Sequence, residues 1–241
     1  MHSSVLIGFF VALLAAGVLS NSYITDQTRL YNDIVMRRGY NSKVVPNLNA
    51  RTPVNVTVGL TLFGIDVDED KNTLFLNCWL HEVWTDIRLG WKPSKYGNID
   101  QLNVEHYKVF RPDTSLYNSY GPQSMRPGTD QDQLIIDSNG VVMFFRQVGL
   151  KSSCEIDPTK DDQSCEFTFG SWVHNALKLN YKLSTGKLDI SEMVPHPKWE
   201  LTGSELKREL KTYACCPEPY VDIKLTLKLR RKVSNRISMA G

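Results

Sequence analysis

From Val5 to Leu19 the chain is apolar and carries no charge. Small residues at Ala15, Ala16, Gly17 and Ser20 close the run, the layout of a secretory signal cleaved near Ser20. The run is shorter than the roughly 20 residues of a membrane-spanning helix, and nothing later is long and apolar enough to cross a bilayer. Residues 1–20 are therefore expected to be a signal peptide and 21–241 a secreted, soluble domain. One helical pattern follows, from Asp26 to Arg38. Leu30, Tyr31, Ile34 and Val35 recur at helical spacing. Asp26 is placed to cap its start, Arg37 and Arg38 suit the last turn, and Gly39 suits the position after it. Beyond Gly39 the period falls to two. Val56, Val58, Leu60 and Leu62 alternate with Thr57, Gly59 and Thr61, and Val221, Ile223, Leu225, Leu227 and Leu229 alternate with polar residues. Leu134–Ile136 and Val141–Phe145 flank Asp137-Ser-Asn-Gly140, a hairpin turn. Leu177, Leu179, Tyr181 and Leu183 alternate up to a turn at Ser184-Thr-Gly186. Short strands between turn signals predict a mainly β chain, an antiparallel β-sandwich. The polar tail from about Arg231 is expected to fray.

Composition narrows the function. Lys and Arg number 28 against 26 Asp and Glu, a net charge of +2. That balance gives no electrostatic reason to expect nucleic acid or an anionic membrane as partner. The five cysteines are an odd number, and a secreted chain is expected to form disulfides. Cys154 and Cys165 pair across a small loop, and Cys215 and Cys216 form the second pair. Cys78, inside Leu74-Phe-Leu-Asn-Cys-Trp-Leu80, remains as a buried free thiol, since free cysteine behaves as a small hydrophobe. Asn55-Val56-Thr57 is the single glycosylation sequon. Catalysis finds no foothold: there is no nucleophile-elbow motif and no phosphate-cradling glycine loop. His81, His106, His174 and His196 lack metal-ligand spacing. The acidic runs Asp66, Asp68, Glu69, Asp70 and Asp161-Asp162 do not match a calcium loop and read as solvated turns. Neither an enzyme, a metal site nor a cofactor is expected.

Tyr213-Ala-Cys-Cys-Pro-Glu-Pro-Tyr220 is the most distinctive stretch. Adjacent Cα atoms are ~3.8 Å apart, below the usual disulfide span of about 4.4–6.8 Å. A bond between these neighbours closes a tight ring and stiffens the turn, and Pro217 and Pro219 stiffen it further. The alternative is two free thiols on an ordinary loop. Tyr213 and Tyr220 flank the tip and can face one side if it is a hairpin. Other aromatics near turns are Trp84, Tyr117 and Trp172. Ring faces attract a cation through their quadrupoles, and quaternary ammonium recognition uses such boxes.

These stretches, in order, resemble a known family. Trp84-Thr-Asp86, Arg111-Pro-Asp113, Leu116-Tyr-Asn-Ser119, Lys151-Ser-Ser-Cys154, Phe169-Gly-Ser-Trp172 and Tyr213–Tyr220 are similar to the extracellular ligand-binding domain of the Cys-loop receptors, on the nicotinic side, including their soluble acetylcholine-binding relatives. The resemblance implies an immunoglobulin-like antiparallel β-sandwich of about ten strands with one N-terminal α-helix. It implies a homopentamer, this chain with four further copies, with sites for acetylcholine or nicotine-like amines between subunits. The principal face would carry Tyr117, Trp172, Tyr213, Cys215, Cys216 and Tyr220. The complementary face would carry Trp84, Ile135, Met143 and Phe145. Three departures stand out: Phe110 in place of a tryptophan, His174 in place of a phenol, and Thr168 in place of a lysine that pairs with the acid at Asp222. The Cys154–Cys165 loop is also short and lacks the family's Phe-Pro-Phe-Asp motif, which favours a soluble binder. Two other readings stay open: the extracellular domain of a channel subunit, and a sandwich adhesion module using exposed Trp and Tyr as hot spots.

Overall fold

A computed structural model describes residues 25–36, 39–47, 49, 52–121 and 132–232. The expected signal peptide, Arg37, Arg38 and the tail from 233 lie outside the described residues.

Helix α1 spans Asp26–Tyr31 and widens into a π-helical stretch, Asn32–Met36. Its cap is Thr25, not Asp26. A cap needs extended backbone, which Thr25 has at ψ 157°, and its hydroxyl accepts from the Thr28 N–H at 3.2 Å. Asp26 is the first helical residue and pairs with Arg29 at 2.7 Å. The apolar stripe works as expected: Leu30, Ile34 and Val35 are buried, and Gly39 follows at φ +64°.

The strands are β1 (Val54–Asp68), β2 (Thr73–Thr85), β3 (Gln101–Glu105), β4 (Thr114–Leu116), β5 (Gln133–Asp137), β6 (Val141–Ser153), β7 (Asp162–Ser171), β8 (Leu179–Leu183), β9 (Trp199–Lys211) and β10 (Tyr220–Arg231). They form a six-stranded sheet in the order β3-β5-β6-β2-β1-β8 and a four-stranded sheet in the order β4-β7-β10-β9. The pairing is antiparallel except between β1 and β8, which run parallel. That long-range pairing leaves no local sequence signal. Leu177, read as the start of β8, lies outside it and is exposed.

Between the sheets lies one apolar core. Leu74, Leu76, Cys78 and Leu80 of β2 and Val142, Phe144, Val148 and Leu150 of β6 join Phe167 and Phe169 of β7 and the alternating residues Ile223 to Leu229 of β10. Cys78 is a buried free thiol, and burial pushes it up to about 12. Cys154 and Cys165 are bonded, Cα atoms 5.1 Å apart, joining the end of β6 to β7.

Two turns have clear physical causes. Between β5 and β6, Gly140 takes φ +84°, and a Cβ there would lie 2.5 Å from the Asp86 carbonyl oxygen. At the other end of the sandwich Arg231 stays in β10 instead of fraying. It pairs with Trp199 in the ladder, and its guanidinium donates to both oxygens of Glu69 at 3.0 and 2.9 Å. Both bonds come from the one nitrogen Nη1, a charge-assisted contact that helps hold the strand end.

Candidate functional site

The first face of the site forms where β4, β7 and β10 end side by side. Asn118, just past β4, donates to the Glu166 carbonyl at 2.8 Å and accepts from the Thr168 N–H at 2.9 Å. This clamp fixes Tyr117, whose hydroxyl donates to the Ser171 carbonyl at 2.7 Å. The approach is close because position 170 is glycine: a Cβ there would meet the Val221 carbonyl oxygen at 2.5 Å and the Tyr117 hydroxyl at 2.6 Å. Asp113 holds the next turn. One carboxylate oxygen accepts from the Val173 N–H at 2.7 Å and the other from the Ser171 hydroxyl. Trp172 is thereby held out of the core, 70% exposed.

Four rings meet there. Tyr117 lies 6.0 Å from Trp172 and 6.4 Å from Tyr213, and Tyr213 lies 5.8 Å from Tyr220, all near edge-to-face. They line a cleft of about 430 Å³ with Cys215, Asn118, Thr168, Ser171 and Lys211. Cys215 and Cys216 are bonded to each other, forming the tip beside the rings. Tyr213 donates its hydroxyl to Asp222 Oδ2 at 2.7 Å, while Asp222 Oδ1 has no partner among the described residues. Burial lifts the Asp222 carboxyl above the usual carboxylate range. Burial also lifts the Tyr117 and Tyr213 phenols, with the Asp222 carboxylate adding to the rise. Both phenols therefore stay neutral, and the rings present uncharged π faces.

The residues expected on a complementary face lie on the six-stranded sheet. From Leu74 onward in β2, even-numbered side chains enter the core and odd-numbered ones face outward. Trp84 is even. It is 2% exposed, and its indole N–H has no partner among the described residues. It therefore packs the core and cannot wall an open site. Asp86 of the same motif is buried and accepts from Tyr40 at 2.6 Å and from Arg88 at 2.8 Å, so Trp84-Thr-Asp86 builds the fold. Trp79 is odd and 44% exposed. The outward face carries it with Ile135, Met143 and Phe145, since Ile135 pairs with Met143, Met143 with Val83, and Phe145 with His81. Trp79 packs edge-on against Phe63 at 5.1 Å, and His81 against Phe145 at 5.2 Å.

Residues 27–233 match the model of the neurotransmitter-gated ion-channel ligand binding domain. The chain belongs to that family. Similar proteins include the acetylcholine receptor subunit alpha-type acr-16 of Caenorhabditis elegans, 37% identical over 92% of this chain and 44% of that protein. The neuronal acetylcholine receptor subunit alpha-10 of Homo sapiens is 33% identical over 86% of the chain and 46% of its own length. The betaine receptor acr-23 of C. elegans is 30% identical over 96% of the chain and 44% of its own length. The chain thus spans less than half the length of the curated relatives it matches. This family is a ligand-binding domain and not an enzyme family. Among the described residues no helix is long and apolar enough to cross a membrane.

The departures from the family pattern now have surroundings. Phe110 is buried, and its N–H donates to the Tyr40 hydroxyl at 2.7 Å, a packing role. Where the family's lysine would meet Asp222, Thr168 lines the cleft and Tyr213 takes the carboxylate instead. The N–H of His174 donates to the Ser171 hydroxyl at 2.7 Å. Sequence reasoning missed Trp79 and Lys211, and it quoted Asp113 and Gly170 only as parts of motifs without their positioning roles. For Trp79 the signal was present: a buried Cys78 in a strand turns its neighbour outward.

Proposed function

We propose that this ligand-binding domain takes acetylcholine-like organic cations against the faces of Tyr117, Trp172, Tyr213 and Tyr220, under the Cys215–Cys216 tip. The observation that carries this reading is the exposed Trp172 ring standing among three tyrosines. Cation–π contacts contribute about 0.5–1 kcal/mol each when exposed and about 2 when desolvated, so four rings covered by guest and tip approach the roughly 8 kcal/mol of micromolar binding. The names of the relatives, receptors for acetylcholine and betaine, support an ammonium guest.

The box is open on one side, and the complementary wall comes from a neighbouring copy: Trp79, Ile135, Met143 and Phe145 on the outward face of the six-stranded sheet. One chain owns both faces, so a homopentamer of secreted, extracellular chains with five sites is the simplest assembly. Asn55, exposed at the start of β1, is its glycosylation position. A second reading is supported by the relatives being receptor subunits: the same domain serving a ligand-gated channel. Sequencing the full transcript distinguishes the two, because a channel subunit continues into apolar spans.

The test is titration with acetylcholine, followed by calorimetry and tryptophan fluorescence. Saturable binding is expected in the native chain and its loss in Trp172→Ala, with unfolding temperature unchanged because the ring is exposed. Absence of saturable binding, or undiminished affinity in Trp172→Ala, refutes the proposal.

A further inference from the structure

Among its described lining residues, the aromatic cleft holds one formally charged side chain, Lys211. A lysine in the wall is out of place in a box that takes a simple cation. Its Nζ lies 5.0 Å from the centroid of the Tyr213 ring, so one of the four rings already carries an ammonium. Lys207, on the same strand, ends in an ion pair with Glu205 at 2.9 Å, whereas Lys211 has no such partner among the described residues. Lys211 acts on Asp222 together with Glu209 and Lys224. Asp222 is buried and receives the Tyr213 hydroxyl, and Glu209 stands opposite it on β9, exposed. Neither neutralises the lysine by contact. Lys211 is therefore a cation in the wall of an ammonium site, held by the Tyr213 ring face and the field of Asp222 but by no carboxylate in contact.

We propose that Lys211 makes this site selective for zwitterions: small molecules with a quaternary or tertiary ammonium and a carboxylate a few bonds away. The inference rests on the box binding an ammonium at all. In such a guest the ammonium takes the Trp172 and Tyr117 faces and the carboxylate accepts from Lys211. That contact draws Nζ off Tyr213 and frees its ring for the guest. A purely cationic guest meets Lys211 as a like charge and must displace it with nothing in exchange. The lysine is exposed, so solvent screens the contact and the effect is a matter of severalfold affinity.

The experiment compares choline with trimethylglycine, which share the trimethylammonium group and differ in whether a hydroxyl or a carboxylate follows. 4-(Trimethylammonio)butyrate is added for a longer reach. Calorimetry is run on the native chain, Lys211→Gln and Lys211→Glu. Lys211→Gln should weaken the better-bound zwitterion about fivefold and strengthen choline about twofold, shifting their ratio about tenfold. Lys211→Glu should move both further in the same directions. If choline binds but the ratio stays fixed in both variants, the assignment to Lys211 is overturned and the ammonium box stands. If none of choline, acetylcholine and the two zwitterions binds the native chain, the box itself is overturned and this inference with it.

Discussion

Removing one oxygen atom, in Tyr213→Phe, should expose how Asp222 is held. Asp222 is 2% exposed, and its carboxylate accepts from the Tyr213 hydroxyl at 2.7 Å. Its second oxygen has no partner among the described residues. Without that hydroxyl the carboxylate is buried with no protein donor among them. Losing a charge-assisted hydrogen bond of this kind costs about 1.5–3 kcal/mol. The cost depends on pH. Burial already raises the folded-state carboxyl above its ordinary value, and the Tyr213 bond opposes that rise. Deleting it moves the carboxyl higher still. A carboxyl raised in the folded state holds its proton longer than in the unfolded chain. Its penalty is absent below the ordinary carboxylate range and grows as pH climbs toward the raised value. Urea unfolding at pH 5 and pH 7.5 should therefore show a larger loss at the higher pH, by about 1 kcal/mol, since a tenfold change in proton affinity is worth about 1.4 kcal/mol. In an Asp222→Asn background the charge is gone, so Tyr213→Phe should cost about 1 kcal/mol or less at both pH values. Equal losses at both pH values in the native background, or a loss below about 0.5 kcal/mol, would refute the reasoning.

Other substitutions separate architecture from site. Trp84→Ala should destabilise the fold by about 3–5 kcal/mol in denaturant unfolding. Trp79→Ala should leave stability within about 1 kcal/mol and weaken ligand binding or assembly, read by calorimetry and light scattering. Gly170→Ala places a Cβ against both the Val221 carbonyl and the Tyr117 hydroxyl. It should cost about 1–3 kcal/mol in stability and weaken acetylcholine binding; native affinity would show that Tyr117 is not positioned by this contact. The Cys78 thiol, raised to about 12 by burial, should ignore a thiol-specific reagent at about pH 8 until denaturant unfolds the chain. Prompt labelling of the folded protein would contradict its placement.

Much of the fold was legible from period alone. The alternation in β10 and the β5–β6 hairpin produced the strands found, because each buries one face. Other errors have particular causes. The helix cap moved one residue because Thr25 and Asp26 are both good caps and only backbone conformation decides between them. β1 was legible from the same alternation, but not that part of its outer face is covered by the segment after β8, where Thr61 donates to Asp189 at 3.1 Å. The Trp84 assignment followed a motif where strand arithmetic pointed to Trp79. A burial pattern that puts Cys78 inside also puts Trp84 inside and Trp79 outside. Lys211 was invisible because its importance comes from the Tyr213 ring beneath it, and strand geometry alone places that ring.

The central claim is that charge on the guest, not only its shape, is what the rings recognise. The direct measurement compares acetylcholine with 3,3-dimethylbutyl acetate, in which carbon replaces the ammonium nitrogen, by calorimetry on the native chain. Acetylcholine should bind at least about tenfold more tightly, the equivalent of roughly 1.4 kcal/mol of ring attraction. Equal affinity for the two would contradict the account.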